Sequence, residues 1–304
     1  MPPLKVILGY VFIVVVGGTG WAAIKVGVAQ VPPFQFLFER NALLAVILTA
    51  LVSAMRLQWP RNRTTIVTAV AVGVLYNGIG SGITYWSEQY VSSGLVSVYG
   101  ASSPIWGALF AHYLVRNDRL SPAKILGLAL GLAGVALLVG TPELGLRPEA
   151  VAARVLLLLF PISLAGATIL QVRLLRQQSP IPLVAIGAWG ATAAQAPLAL
   201  SQLNEPAQWT IGAGLALLYL VVFPSALVMV VQMWLTRWLR VTTMTMVQVI
   251  VPAEALLIGA LAFGEALTLS MLAGVSFILT GLTLNAVFGR GRPTSRLPVG
   301  TGNS

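Results

Sequence analysis

Apolar stretches of about 20 residues, each followed by a short polar link, recur along nearly the whole chain. A helix of that length crosses a hydrocarbon core of about 30 Å. Only 9% of the 304 residues are charged, whereas roughly 25% are charged in an ordinary soluble domain. A soluble fold could not bury this much apolar surface, so the pattern predicts an all-α integral membrane protein in a lipid bilayer.

Windows of about 19 residues predict ten transmembrane helices. The predicted spans cover residues 6–28, 34–54, 64–86, 92–115, 121–140, 151–172, 182–200, 209–235, 242–262 and 268–288. The first span follows a single lysine and lacks a small-residue cleavage site, so we interpret it as a retained helix and not as a signal peptide.

The basic residues predict the orientation of the chain. If the amino terminus is cytoplasmic, nearly all Lys and Arg residues of the links lie inside, and only Arg147 and Arg154 lie outside. This predicts a bacterial inner membrane protein with both termini in the cytoplasm. The net charge of +10 is therefore interpreted as topology and not as nucleic-acid binding. Residues 289–304 are predicted to form a disordered cytoplasmic tail.

Aromatic, proline and glycine residues recur at separations of 147 or 148 positions. The pairs are Trp86 and Trp234, Tyr90 and Trp238, Pro104 and Pro252, Gly127 and Gly274, and Gly134 and Gly281. Because five spans is an odd number, the second copy must insert upside down, and the link with Glu88 indeed corresponds to one with Arg237 and Arg240. We predict two inverted five-helix repeats, 1–140 and 141–288, around a central cavity, as is typical of secondary transporters. Duplication kept for packing alone is the alternative.

Other classes of protein find little support in the sequence. The chain has no Cys and one His, which excludes disulfides and disfavours a metal site. Zinc-protease, hydrolase and nucleotide-binding motifs are absent from the sequence, so we predict neither an enzyme nor a cofactor. An ion channel is a weaker alternative, since a water-filled cavity open at both ends would conduct.

Four motifs follow one another in an informative order. They are Gly-Thr-Gly-Trp-Ala-Ala-Ile-Lys at 18–25, Pro-Pro at 32–33 followed by Arg40, Ser-Ser-Pro-Ile-Trp-Gly at 102–107, and Gly-Glu at 264–265 before a glycine-containing last span. In this the chain resembles the bacterial ten-span branch of the drug/metabolite transporter superfamily, with two EamA-type domains. The first half departs from the family pattern, because Asn117-Asp118 stands where Gly-Glu is usual.

The resemblance implies a small-molecule substrate and no ATP-hydrolysing part. It further implies export of metabolites such as amino acids, including aromatic ones. Sugars or drug-like compounds are the alternative substrates.

Ionisable residues within spans are costly in lipid and are functional candidates by default. Lys25 and Glu39 lie about six residues on either side of the first hairpin, so they reach similar depth, and a pair between them is one hypothesis. Arg40 points about 100° away from Glu39 and needs another partner. Snorkelling of Lys25 and Arg40 to the interface, and contact with the substrate, are the alternatives. Glu254, near the middle of the ninth span, is a candidate for proton coupling or for a structural hydrogen bond.

Further polar and aromatic residues are predicted at the level of the cavity, where they can stack on a solute or bind it by hydrogen bonds. These candidates are Tyr76, Asn77, Tyr99, Trp106, Trp189 and Gln248. Helix packing is the alternative role for the aromatic ones. Gly127, Gly131 and Gly134 form one small-residue face on the fifth span, which predicts close helix packing within the scaffold or in a homo-oligomer.

Overall fold

The computed structural model describes residues 3–114, 122–139, 147–175, 178–235, 238, 247–265 and 267–288. All regular secondary structure within these residues is helical. The α-helices are α1 Leu4–Val28, α2 Pro33–Ala54, α3 Arg63–Gly73, α4 Ser81–Ser87, α5 Ser93–Ala101, α6 Ser103–Leu114, α7 Pro122–Val139, α8 Pro148–Leu156, α9 Leu159–Leu170, α10 Pro180–Ser201, α11 Ile211–Leu220, α12 Val228–Leu235, α13 Val247–Phe263 and α14 Leu269–Phe288. Three π-helical segments are π1 Val74–Gly80, π2 Gln171–Leu175 and π3 Val221–Leu227.

Several of these helices are long and apolar enough to cross a membrane. Among the described residues, five qualify by length and hydropathy, namely Leu4–Val28, Pro33–Ala54, Arg63–Ser87, Pro148–Leu170 and Pro180–Ser201. Shorter apolar helices lie in the predicted fifth, eighth, ninth and tenth spans. Leu261, Ile211 and Leu269 are each more than 80% exposed. An apolar exterior of this kind is stable in lipid and not in water, so the chain spans the membrane.

The ten crossings and their orientation stay predictions. The basic links that carry much of the orientation argument, with Arg116, Arg119, Arg237 and Arg240, lie outside the described residues, as does the tail 289–304. The predicted fourth span, 92–115, consists of two helices, α5 and α6, with a break at Ser102.

Local sequence signals explain where several helices begin and end. The Asn62, Ser92 and Thr210 side chains accept hydrogen bonds from backbone N–H groups in the first turns of α3, α5 and α11. Pro33 occupies the first turn of α2, where its missing N–H costs nothing. Gly264 follows α13 with a φ of 63°, a conformation that glycine adopts without a steric penalty.

Glycine residues allow two pairs of helices to approach closely. A Cβ on Gly187 of α10 would lie 3.0 Å from the Ala69 carbonyl oxygen of α3, and a Cβ on Gly134 of α7 would lie 2.6 Å from the Gly274 carbonyl oxygen of α14. The predicted glycine face of the fifth span therefore packs within the chain, against the helix that carries its proposed counterpart. This is the scaffold alternative of the prediction.

Candidate functional site

A cavity of about 330 Å³ lies among α1, α2, α4, α5, α9, α11, α12, α13 and the segments π1 and π3. This volume falls within the range of about 300–1,000 Å³ that is usual for small-molecule sites. Trp21 and Phe160 line it as an edge-to-face pair with ring centroids 6.0 Å apart. Its polar lining, besides Arg40 and Tyr76, consists of Ser81, Thr84, Tyr85, Ser97 and Gln232.

Of the described residues that line this cavity, Arg40 is the one that carries a charge. Its guanidinium Nη2 donates a hydrogen bond of 2.8 Å to Ser225 Oγ, and Nη1 donates longer bonds of 3.4 Å to Asn77 Oδ1 and Asn41 Oδ1. Its buried Nε has no hydrogen-bond partner in the described part of the chain. Arg40 thus finds partners other than Glu39, as predicted, and its head group lies in the bundle instead of snorkelling.

Side chains of other helices donate hydrogen bonds to carbonyl groups of the π-helical segment π1. Gln195 Nε2 donates to the carbonyl oxygens of Gly78 at 2.9 Å and Asn77 at 3.3 Å. Ser163 Oγ donates to Leu75 O at 2.6 Å. Such side-chain donors are what irregular backbone needs at membrane depth. They fix the wall of the cavity on which Tyr76 lies.

A second π-helical segment, π3, also contributes to the wall of the cavity. Pro224 lies within it and removes one backbone donor. Ser225 Oγ donates to the Leu220 carbonyl at 2.7 Å while accepting from Arg40. Ser225 therefore joins the irregular backbone of π3 to the charge in the cavity.

Tyr76 lines the cavity, and Asn77 lies beside Arg40. Tyr85 also lines the cavity, although it is only 1% exposed, and its hydroxyl has no hydrogen-bond partner among the described residues. Arg40 lines the same cavity, and we call Arg40, Tyr76 and Tyr85 its polar corner.

Three aromatic candidates lie away from this cavity. Tyr99 is fully buried in the core cluster around α5. Trp106 is half-buried on α6 and is absent from the cavity lining. Trp189 is 47% exposed, and its indole N–H donates to Thr49 Oγ1. The structure brings none of the three to the solute site, which favours the packing role for them.

Glu254 lies behind the cavity wall, in the interface of α13 with α1. A Cβ on Gly18 would lie only 2.5 Å from Glu254 Cδ, so this glycine makes the room that the carboxyl group occupies. Its buried Oε2 has no hydrogen-bond partner among the described residues. Gln248 lies on the same helix, but its side chain is outside the described residues.

Lys25 lies at the end of the bundle that carries the Pro32 hairpin, which we call the Pro32 end. Its ammonium donates to the Glu88 carbonyl at 2.8 Å and the Val91 carbonyl at 2.9 Å, and lies 4.0 Å from Glu265 Oε1. The predicted pair of Lys25 with Glu39 is wrong. Lys25 faces the links after α4 and α13 rather than α2, and Glu39 is half-buried elsewhere on its helix.

Glu265 joins the two predicted halves at this end. The left-handed turn at Gly264 directs it back, so that its carboxylate accepts a 3.0 Å bond from the Ser93 N–H at the start of α5. The Glu88 carboxyl is fully buried and unpaired among the described residues. Burial raises the pKa of Glu88 well above its ordinary value; the Lys25 ammonium lowers that pKa and the Glu265 carboxylate raises it.

Sequence reasoning missed several of these residues. Gln195 and Ser225 were not singled out, although an amide within a long apolar span is itself a signal of an internal partner. Glu88 and Glu265 were assigned only to links, because linear sequence does not reveal that these links meet at Lys25. Tyr85 carried no distinguishing signal.

Comparisons with known proteins agree with this architecture. A model of the EamA-like transporter family matches residues 4–140 and again residues 152–287. The chain is 26% identical over 290 residues to the uncharacterized transporter YoaV of Bacillus subtilis (strain 168), covering 93% of this chain and 97% of that one. It is 25% identical over 260 residues to the uncharacterized inner membrane transporter YedA of Escherichia coli (strain K12), covering 84% and 81%. A solved crystal structure aligns with a TM-score of 0.60 at 19% identity, over 93% of this chain and 97% of that chain, which indicates a shared fold.

Proposed function

Because this chain belongs to the EamA-like transporter family, we propose that it is a secondary transporter that exports small organic metabolites across the bacterial inner membrane. The first candidates are amino acids, including aromatic ones. Transport proceeds by alternating access, with both termini in the cytoplasm. The observation that carries the proposal is the cavity of about 330 Å³, which combines an aromatic pair with a guanidinium between helices of the two predicted halves.

Two features support the inverted repeat on which alternating access rests. The segments π1 and π3 begin at Val74 and Val221, which are separated by 147 positions, as are Gly127 and Gly274. The helix contacts also agree with a repeat, because helices at equivalent positions in the two halves make equivalent contacts. Helix α2 packs against α10, α7 against α14, and the contact of α1 with α13 has its counterpart in the contact of α9 with α6.

The contacts of Lys25 suggest how one side of the cavity is closed. Ile24 lines the cavity, and the next residue, Lys25, holds α1 to the links at the Pro32 end. With cytoplasmic termini this end faces outward. Release of a solute to the outside therefore requires that the Lys25 and Glu265 contacts open while the opposite end closes.

The test is counterflow in liposomes that contain the purified chain. Vesicles loaded with unlabelled phenylalanine should accumulate labelled phenylalanine transiently, and runs with and without a pH gradient report proton coupling. Parallel runs use a sugar and a nucleoside as competing solutes. Large electrical currents without solute exchange would refute the transporter and favour a channel.

Alternating access has its own test, since the native chain has no Cys. A Cβ on Gly20 would lie 3.9 Å from the Pro224 Cβ, close to the distance of about 3.8 Å in disulfides. The double variant Gly20→Cys with Pro224→Cys is assayed reduced and oxidised. Counterflow should fall to background on oxidation and return on reduction, while the single variants respond to neither reagent. Undiminished turnover of the fully cross-linked protein would contradict the mechanism.

A further inference from the structure

Among the described residues, the charge in the central cavity has no opposite charge beside it. Within the described chain, no carboxylate lies within 4.0 Å of the Arg40 guanidinium, and its recorded partners are the neutral groups of Ser225, Asn77 and Asn41. An uncompensated cation at membrane depth is costly. We infer that Arg40 binds the carboxylate of the transported solute, and that the substrate class is monocarboxylates with a flat apolar body, whether or not they carry an α-amino group. This inference rests on the proposed function and narrows its substrate.

The polar corner suits a carboxylate. A guanidinium presents five N–H donors in a planar fork that matches the two carboxylate oxygens. The Nε of Arg40 and the hydroxyl of Tyr85 are both buried without hydrogen-bond partners in the described residues, and both residues line the cavity. Two unused donors thus accompany one positive charge, which is what a single carboxylate needs.

The remaining lining offers little to an ammonium group. Its described residues include hydroxyl, amide and aromatic side chains but no Asp or Glu. Glu265 is bound to Ser93, and Glu254 lies beside Gly18 in the interface of α13 with α1. The α-amino group of an amino acid would therefore be tolerated but not required.

The apolar side of the cavity selects the body of the solute. Trp21 and Phe160 meet edge to face, and an aromatic ring can stack on either of them. One charge also limits the anion, because a phosphate monoester would bring about two negative charges to a single guanidinium. A carboxylate with one apolar ring fits both the charge and the volume.

Three probes that share a ring and differ in their charged group test this inference. They are 3-phenylpropionate with only a carboxylate, phenylalanine with both groups, and 2-phenylethylamine with only an ammonium. Equilibrium binding to the purified full chain in detergent is followed by tryptophan fluorescence, since Trp21 lines the cavity. The two carboxylates should bind with similar affinity, and the amine should bind at least about 10-fold more weakly, as expected for loss of a charge-assisted hydrogen bond.

Variants of the polar corner make the assignment specific. Arg40→Gln should weaken the binding of both carboxylates by about 10–100-fold, and Tyr85→Phe and Ser225→Ala by smaller factors. Arg40→Lys keeps the charge without the fork and should retain part of the affinity for 3-phenylpropionate. Trp189→Phe, at a residue away from the cavity, is the matched control and should bind like the native chain. If Arg40→Gln does not fold, the loss of carboxylate affinity in Tyr85→Phe and Arg40→Lys tests the inference instead.

The outcomes separate this inference from the proposed function. Equal binding of the amine, unchanged carboxylate binding in well-folded Arg40→Gln, or no binding of either carboxylate would overturn the inference. Counterflow of phenylalanine that 3-phenylpropionate does not inhibit would leave transport standing and refute the monocarboxylate class. Binding that depends on Arg40 without any counterflow would support the carboxylate site and refute transport.

Discussion

Replacement of Lys25 by Met should loosen the Pro32 end by a predictable amount. The ammonium donates two hydrogen bonds, to Glu88 O at 2.8 Å and Val91 O at 2.9 Å, and a bond from a charged donor contributes roughly 1.5–3 kcal/mol. The ion pair with Glu265 at 4.0 Å adds less than about 1 kcal/mol at a partly exposed site. Lys25 is 26% exposed, so water can replace part of the lost hydrogen bonding. We therefore expect the substitution to destabilise the closed Pro32 end by about 3 kcal/mol, which corresponds to about a 10²-fold larger population of the locally open state.

A buried thiol beneath this contact measures the opening. Val91 is 2% exposed. A cysteine introduced by Val91→Cys in the otherwise cysteine-free chain therefore reacts with a water-soluble maleimide only when the link between α4 and α5 moves away from the bundle. When opening and closing are fast, the labelling rate follows the population of the open state. Lys25→Met should therefore raise that rate about 10²-fold.

Two controls isolate the effect. Lys5→Met is the same substitution at the opposite end, where Lys5 lies 5.2 Å from the centroid of the Trp238 ring, and it should leave the labelling rate unchanged. Ala185→Cys, at a fully buried position between α10 and α2, reports global unfolding and should stay unlabelled. A rise of less than about threefold, equivalent to under about 1 kcal/mol, would refute the role of Lys25 in closing this end.

Three other substitutions test the scaffold and the buried acid by thermal unfolding in detergent. Gly134→Leu must force α7 away from α14, since its Cβ alone would lie 2.6 Å from Gly274 O. We expect the free energy of unfolding to fall by about 1–3 kcal/mol. Gly214→Leu is the control, because Gly214 has open space around it, and it should unfold like the native chain. Gln195→Leu removes the amide that donates to the Asn77 and Gly78 carbonyls of π1 and should cost about 1–3 kcal/mol; an unchanged midpoint would contradict this network. Because the raised pKa of Glu88 keeps its proton in the folded state while the unfolded state loses it, native stability should fall as pH rises above the ordinary carboxyl value of 4.5. Glu88→Gln should remove that part of the pH dependence, and equal slopes in the two proteins would count against it.

The helices could be predicted from the sequence because apolar length is a one-dimensional property. Membrane helices and their limits follow from hydropathy and from caps such as Asn62 and Ser92. The segments π1 and π3 could not be predicted in this way. Their sequences, Val-Leu-Tyr-Asn-Gly-Ile-Gly and Val-Val-Phe-Pro-Ser-Ala-Leu, share no motif. Side chains of distant helices donate to carbonyls of π1, and Arg40 of α2 donates to the Ser225 side chain of π3.

The sequence predicts how deep the charged residues of the candidate site lie in the membrane, but not which residues they contact. The depth of Lys25 follows from its distance to the hairpin, yet its partners lie 63 and 66 positions away along the chain, and no local pattern points to them. The need of Arg40 for a partner other than Glu39 followed from helix geometry. Trp189 shows the converse, because a helix that is apolar on all sides gives no periodic signal of which face meets the cavity and which meets lipid.

The position of Glu265 also has a consequence for biosynthesis. The N–H of Ser93 that it caps is made 172 residues earlier, and at about 5–20 residues per second the ribosome needs roughly 10–35 s to supply the missing acceptor. During that interval Lys25 also lacks its anionic neighbour. The amino-terminal helices are therefore in the membrane before the contact between Glu265 and Ser93 can form. A membrane chaperone or a protease would act on the nascent chain at this stage.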